Sequence, residues 1–331
     1  MLPQEMKPSN MTNMKILEVH NLTVKFDNMA AVSDVSFDLY SNEIVGLVGE
    51  SGCGKSLTAF SILGITPPGS SVSGKIIYKD MDLMSLDNEK LRGIRGNKIS
   101  LIPQDPLSAL NPVFTIGEQI SEVLEVHKNV SRQEANTEVQ KVLERVNIPN
   151  AKQRLNDYPH QFSGGMRQRV LIAMSLVAEP DILIADEPTT ALDVTIQLQV
   201  LEIMKDLRNK GKAILLITHD LAQVAEICDR VFVMYLGKIV EAARTKELFT
   251  NPKHPYTIGL LNSLPDDNKK SLSPIIGQPP SINSIPQGCT FHPRCPSIMK
   301  RCKTELPHLY EIKGANEHKS RCFLENESAS R

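Results

Sequence analysis

The strongest chemical signal in the chain is the octapeptide Gly49-Glu50-Ser51-Gly52-Cys53-Gly54-Lys55-Ser56. It fits G-x-x-x-x-G-K-[ST], in which glycines let successive backbone N–H groups turn inward around a phosphate. Such a loop needs a strand before it and a helix after it. Glu43–Val48 is a short apolar run of strand type, and Gly54–Leu63 reads as a helix closed by Gly64 and followed by Pro67-Pro68. The helix start would aim its positive end at the same anion. Lys55 is placed to reach the β- and γ-phosphates, and the Ser56 hydroxyl to bind Mg²⁺. Gly49, Ser51, Gly52, Cys53, Gly54 and Leu57 complete the expected nucleotide contacts. Alone, the loop gives nucleotide binding and does not separate kinases, GTPases, helicases and transporters.

A second group supplies hydrolytic chemistry. Asp181-Ile182-Leu183-Ile184-Ala185-Asp186-Glu187 is an apolar strand ending in two acids. A buried strand delivers such acids to the carboxyl edge of a sheet, where ligands bind in open α/β folds. Asp186 is the natural carboxylate beside Mg²⁺, and Glu187 the group to orient or deprotonate an attacking water. His219 follows another apolar strand, Ile214–Thr218.

The third group is the cysteines. Cys53 and Cys228 are isolated, read as loop filler and a buried helix residue. Cys289-x₅-Cys295-x₆-Cys302-x₁₉-Cys322 are clustered near the end of the chain. Four thiolates can complete a tetrahedral zinc site or hold an iron–sulfur cluster. The absence of C-x₂-C pairs weakens the zinc reading, and His292 and His308 are alternative ligands. A metal would explain how a proline-rich tail with little apolar sequence becomes ordered.

The elements that must position these groups alternate. Strands are expected at Met14–Lys25, Ala31–Leu39, Ser73–Tyr78, Lys98–Ile102 and Arg230–Tyr235, with helices between the later ones. Such alternation implies an α/β fold with a mostly parallel sheet covered by helices. From about residue 111 to 178 the pattern is helical, an insertion. After about Tyr256 the composition changes, and prolines, asparagines and serines dominate through 264–288. The expected organisation is a leader over 1–13, a main domain over 14–255 and an extension over 256–331. The leader is polar and resembles no signal peptide.

Composition removes some functions. Lys plus Arg number 37 against 38 Asp plus Glu, so no basic excess points to nucleic acid. No stretch approaches the roughly 18 apolar residues of a membrane span. A soluble protein, held at a membrane only through partners, is expected.

One more segment narrows the class. His160-Gln161-Phe162-Ser163-Gly164-Gly165-Met166-Arg167-Gln168-Arg169 resembles the signature of ABC ATPases, usually LSGGQ. Ser163 is a good N-cap, and the helix Gly164–Val177 behind it can bind an anion. In that family the anion is the γ-phosphate held by the opposite subunit, so the resemblance implies a head-to-tail dimer with Ser163, Gly164 and Gly165 closing the site. It further implies that Phe26 stacks on adenine and that Gln104 touches Mg²⁺ and senses a membrane subunit. Ala191-Leu192-Asp193 resembles the D-loop, and His219 the switch histidine on the γ-phosphate. Met166 replaces the usual glutamine and Phe162 the usual leucine, as in the peptide-importer branch. Asn251–Thr257 and Cys289–Pro296 are similar to the terminal segments of dipeptide and oligopeptide import ATPases.

The resemblance covers about residues 14–324. It implies an ABC-type P-loop ATPase with an antiparallel β subdomain, a helical signature subdomain and a cysteine-rich extension. It also implies ATP and Mg²⁺ as ligands and a [4Fe–4S] cluster on Cys289, Cys295, Cys302 and Cys322. Its expected partners are two permease subunits, a second related ATPase or another copy of itself, and an extracytoplasmic peptide-binding protein. The expected place is the cytoplasmic face of the inner or plasma membrane. A nickel or metal-chelate importer is the alternative within transport. A DNA-repair or translation ABC ATPase is the alternative outside it, disfavoured because the chain holds one ATPase copy and no heptad run.

Overall fold

In the computed structural model of the chain, residues 14–189, 192–264, 275–315 and 317–327 are described; the expected leader, Ala191 and part of the proline-rich stretch lie outside them. Twelve strands form two sheets among these residues. They are β1 (Lys15–Phe26), β2 (Met29–Tyr40), β3 (Glu43–Val48), β4 (Ser70–Tyr78), β5 (Met81–Asp82), β6 (Ile99–Ile102), β7 (Ile182–Asp186), β8 (Ala213–Thr218), β9 (Arg230–Tyr235), β10 (Lys238–Arg244), β11 (Tyr310–Glu311) and β12 (Lys319–Ser320). The larger sheet has the order β11-β12-β10-β9-β3-β8-β7-β6, and β9, β3, β8, β7 and β6 pair in parallel. The smaller sheet, β2-β1-β4-β5, is antiparallel throughout.

Parallel strands buried on both faces read as continuous apolar runs, and β3, β7 and β8 are buried along their whole length. Their side chains still alternate. Ile44, Val48, Leu183, Ala185, Ile214 and Leu216 face one core with the helical insertion. Val45, Leu47, Ile182, Ile184, Leu215 and Ile217 face the other, against the antiparallel sheet and the helix Lys55–Ile62. Each fully buried Val, Ile or Leu contributes about 1.5–3 kcal/mol.

The helical insertion consists chiefly of Ile116–Lys128, Arg132–Arg145 and Gly164–Leu176. The first two carry complete capping boxes, Thr115 with Glu118 and Ser131 with Glu134.

The tail is not a free appendage. Strand β12 pairs with β10 through Glu241↔Ser320 and extends the main sheet. Buried Glu241 locks this return: it accepts from the Lys253 and His254 backbone N–H groups and lies 2.7 Å from His318 Nε2. The helices Lys55–Ile62 and Gly164–Leu176 end within a residue of the expected Gly54–Leu63 and Gly164–Val177, but Cys228 lies just past the helix Leu221–Ile227 rather than within it, although it is buried as expected.

Candidate nucleotide site

The phosphate loop joins β3 to the helix Lys55–Ile62, as the sequence requires. Two glycines are obligatory there. Gly49 has φ 153°, and a Cβ on it would stand 2.1 Å from the Met234 carbonyl oxygen. Gly54 has φ 105°, and a Cβ would stand 2.9 Å from the Ala31 carbonyl oxygen. Neither position admits another residue without moving backbone. Lys55 is 5% exposed, and its Nζ donates to the carbonyls of Gly49 (2.8 Å) and Glu50 (3.1 Å). Cys53 is buried beneath the loop, which raises its thiol pKa, so it acts as filler.

The acid pair sits at the carboxyl end of β7. Asp186 is 2% exposed and hydrogen-bonds Ser56. Burial is the largest influence on its carboxyl and raises its pKa, with the neighbouring Glu187 acting in the same direction. Its Oδ1 is buried with no hydrogen-bond partner. A buried unpaired carboxylate oxygen beside a serine hydroxyl is the donor set that a Mg²⁺ with its water shell fits.

Glu187 has φ 47°, the sparsely populated left-handed region, and its N–H donates to the Ile217 carbonyl of β8. This turn sends the side chain sideways across the sheet edge. Gln104 Nε2 donates to its Oε2 at 2.9 Å, and His219 Nδ1 lies 3.0 Å from its Oε1. Three elements distant in sequence thus meet on one carboxylate. Ser51, Gly52, Gly54, Lys55, Ser56, Leu57, Gln104 and Glu187 line one cavity of about 240 Å³. His219 and Gln104 remain solvent-facing.

Other expected contacts lie apart. Phe26 ends β1 half-buried and is not among the residues lining that cavity. Ser163 caps the helix Gly164–Leu176, its Oγ accepting from Met166 N at 3.3 Å. Ser163 and Gly164 are exposed and do not line the cavity. Met166 is half-buried against the helical core, which accounts for an apolar side chain where the signature usually has glutamine. Asp193 caps the helix Val194–Asn209 and is likewise exposed.

The four tail cysteines do come together. Cys289, Cys295, Cys302 and Cys322 line one cavity of about 10 Å³, with His254 and His292 also on its wall; His308 is not there. Burial pushes the Cys289 thiol to about 11 and the Cys322 thiol to about 12. Among the described residues no group of three or more His, Cys, Asp or Glu side chains is arranged to hold a metal ion.

Sequence reasoning missed the contacts between tail and loop. Arg294 forms a bidentate pair with Glu50, and the Tyr256 hydroxyl accepts from the Glu50 N–H at 2.9 Å. The available signal was an arginine inside the cysteine motif and a glutamate inside the phosphate loop.

Residues 32–190 match the family model described as "ABC transporter". The fold agrees with solved cassettes. A dimeric bacterial ABC transporter cassette superposes with a TM-score of 0.63 at 26% identity, covering 70% of this chain and 99% of that one. CbiO1 of Clostridium perfringens superposes at 0.61 and 27%, covering 72% and 92%. The chain is therefore an ABC-type ATPase.

A second model, "Oligopeptide/dipeptide transporter, C-terminal region", matches residues 240–302. The dipeptide transport ATP-binding protein DppD of Bacillus subtilis is 50% identical, over 95% of this chain and 96% of that protein. The oligopeptide transport ATP-binding protein AppD of the same organism is 48% identical, over 95% and 98%. OppD of Escherichia coli is 44% identical, over 88% and 89%. The chain belongs to this family of dipeptide and oligopeptide transport ATP-binding proteins.

Proposed function

We propose that the chain hydrolyses ATP to power import of dipeptides or oligopeptides through an ABC transporter. The observation that carries this reading is an assembled hydrolytic site continuous with a C-terminal region of the peptide-transporter type. The relatives named above are dipeptide or oligopeptide transport proteins, which favours peptides over nickel chelates or nucleic acid.

The site residues have definite roles in this reading. Backbone N–H groups of the loop and Lys55 hold the phosphates. Ser56, Asp186 and Gln104 would hold Mg²⁺, which when bound would supply positive charge against the phosphates. Glu187 accepts the proton of the attacking water, kept in place by Gln104 and His219. Phe26 provides the stacking face for adenine.

Ser163, Gly164, Gly165 and Asp193 act on the site of a partner ATPase, either a related chain or a second copy. The exposure of Ser163, Gly164 and Asp193, with the solvent-facing Gln104 and His219, supports such a shared arrangement. Val113 and Phe114, 71% and 51% exposed on the loop after Gln104, are the apolar surface on which a permease subunit would rest. No helix among the described residues is long and apolar enough to cross a membrane, so two permeases would supply the path and an extracytoplasmic binding protein the peptide. The chain then works at the cytoplasmic face of the membrane.

We assign the four-cysteine pocket of the extension, residues 256–331, to a [4Fe–4S] cluster rather than zinc. What supports this reading is the donor chemistry, four soft thiols lining one cavity with no C-x₂-C pair among them. The cavity is water-sized, so the thiols would turn outward on loading and lose their protons. The cluster's contribution is structural or regulatory, since nothing places it in electron transfer.

Uptake in cells lacking the chain tests the function. Labelled dipeptide, labelled oligopeptide and nickel are followed in parallel. Loss of peptide uptake, restored by the wild type and not by Lys55→Ala, is the expected result. Unchanged peptide uptake with lost nickel uptake would refute the peptide assignment.

A further inference from the structure

The contact between the cysteine segment and the phosphate loop has a geometry that goes beyond docking. Arg294 lies on a 3₁₀ turn, His292–Arg294, directly before Cys295. The turn is closed by the His292 N–H donating to the Cys289 carbonyl, and Cys289 N–H in turn donates to the Cys302 carbonyl. The position of Arg294 is thus set by the backbone of three of the four cysteines. Its side chain is 5% exposed. Nη1 donates to Glu50 Oε2 at 2.7 Å and Nη2 to Glu50 Oε1 at 3.0 Å, a planar fork on a carboxylate. Nε donates to the Ile276 carbonyl at 3.1 Å, and Nη1 lies 3.4 Å from the Tyr235 hydroxyl. The guanidinium has no freedom to follow Glu50 if Glu50 moves.

Glu50 is held on every side. Its carboxylate meets Arg294, and its N–H donates to the Tyr256 hydroxyl. Its carbonyl, with that of Gly49, receives the Lys55 ammonium. The lysine that must reach the phosphates therefore waits on a peptide unit whose side chain is fixed from the extension. Tyr256, which takes the N–H, packs on Phe291 at 5.4 Å between ring centres, and Phe291 belongs to the Cys289–Cys295 segment. Both restraints on Glu50 from outside the loop run back to the cysteine segment.

We propose that Arg294 is a positioning residue for ATP binding: through Glu50 it fixes the phosphate loop, so that the integrity of the four-cysteine pocket sets ATP affinity. The inference rests on the ATP site described above and not on the identity of the transported substrate. A loop held in its binding shape loses less freedom when the phosphates arrive, and that is the origin of the affinity. Arginine suits the role because its rigid fork fixes orientation as well as charge, which lysine does not.

The test is equilibrium ATP binding to the full-length purified chain, with thermal melting in the absence of nucleotide as the fold control. Arg294→Met and Glu50→Gln are each expected to raise the ATP Kd roughly tenfold, the range of a lost charge-assisted contact. The double variant is expected to be no worse than the weaker binder of the two, because both changes break one device. Arg294→Lys should fall between Met and wild type. Cys302→Ser should weaken ATP binding when Arg294 is present and add nothing in Arg294→Met. ATPase turnover at saturating ATP should fall much less than affinity, since Arg294 does not touch the reacting atoms. An unchanged Kd in a folded Arg294→Met overturns the proposal, as do additive losses in the double variant. If Arg294→Met does not fold, Arg294→Lys decides: a wild-type Kd there overturns it. Peptide uptake is not read in this test, so a wrong substrate assignment would leave its outcome untouched.

Discussion

Glu187→Gln is the substitution that most sharply tests the hydrolytic assignment. The exchange keeps size and shape and removes only the negative charge. Both carboxylate oxygens are engaged, Oε2 by Gln104 Nε2 at 2.9 Å and Oε1 facing His219 Nδ1 at 3.0 Å. A glutamine can turn its carbonyl toward Gln104 and its NH₂ toward an unprotonated His219 Nδ1. Both contacts then survive, and the side chain stays in place. Fold and ATP binding should be preserved: the change sits at the end of β7, on a residue 13% exposed, and leaves no new unpaired group. What is lost is the proton acceptor. General-base catalysis is worth about 10²–10⁴-fold, or roughly 3–5 kcal/mol of barrier at 1.36 kcal/mol per tenfold. Steady-state phosphate release should therefore drop at least about a hundredfold, while ATP remains bound in filtration or fluorescence assays. Phosphate release within a few-fold of wild type would refute the role of Glu187. Loss of ATP binding together with turnover would show instead that Glu187 is needed to build the site.

Three further outcomes follow from the same geometry. Lys55→Ala should weaken ATP binding at least about a hundredfold, two charge-assisted contacts at about 1.5 kcal/mol each, measured by titration with a fluorescent ATP analogue. Gly49→Ala should abolish nucleotide binding, because its Cβ would stand 2.1 Å from the Met234 carbonyl; recovery of a normal nucleotide titration would show that the loop can shift. Arg230→Met should cost about 3 kcal/mol in urea unfolding, the low end for a broken buried pair because Asp38 is about a quarter exposed. Arg230 donates to Asp38 Oδ1 at 2.9 Å and to both oxygens of Glu43. Burial raises the Asp38 carboxyl, but the Arg230 hydrogen bond and charge outweigh it and hold the group below its ordinary value. A folded-state pKa below the unfolded one means that the contribution is complete above about pH 4 and lost as pH falls through the folded value. The wild type should thus lose stability steeply below that pH, and Arg230→Met should lose this part of the slope.

The parts of the site that were legible in the sequence are those where local chemistry is self-sufficient. The loop Gly49–Ser56 announces its backbone through glycines in conformations that other residues rarely adopt. The strand Ile182–Asp186 announces its burial through an unbroken apolar run. Gln104 and His219 were different, because nothing in their neighbours says that they meet on Glu187. That meeting depends on β6, β7 and β8 lying side by side, a pairing fixed by long-range register. The helical insertion was visible from its period, while β10 and the short strands β11 and β12 were not. Lys238–Arg244 carries Glu241 in a fully buried position, which breaks the apolar signature of a strand. Its burial is possible only because His318 and the backbone of Lys253 and His254 satisfy the carboxylate.

That same glutamate shows how the tail is also held by contacts other than a metal. For a proline-rich extension poor in apolar residues, a metal is the expected source of order. Among the described residues the structure anchors it in two places: at the sheet edge, where β12 pairs with β10 and His318 meets Glu241, and at the phosphate loop, where Arg294 pairs with Glu50 and the Tyr256 hydroxyl accepts from the Glu50 N–H. The strand pairing is backbone, and the side-chain contacts have no sequence pattern. The Glu241–His318 contact is sealed from water, of the kind that loses several kcal/mol when one partner is removed, whereas the Arg294–Glu50 pair is open to solvent on the Glu50 side, 26% exposed. An extension attached in this way cannot loosen without disturbing the sheet edge or the ATP site. The four cysteines stand beside the Arg294 anchor, at the point where a change in the tail is felt most directly by Lys55.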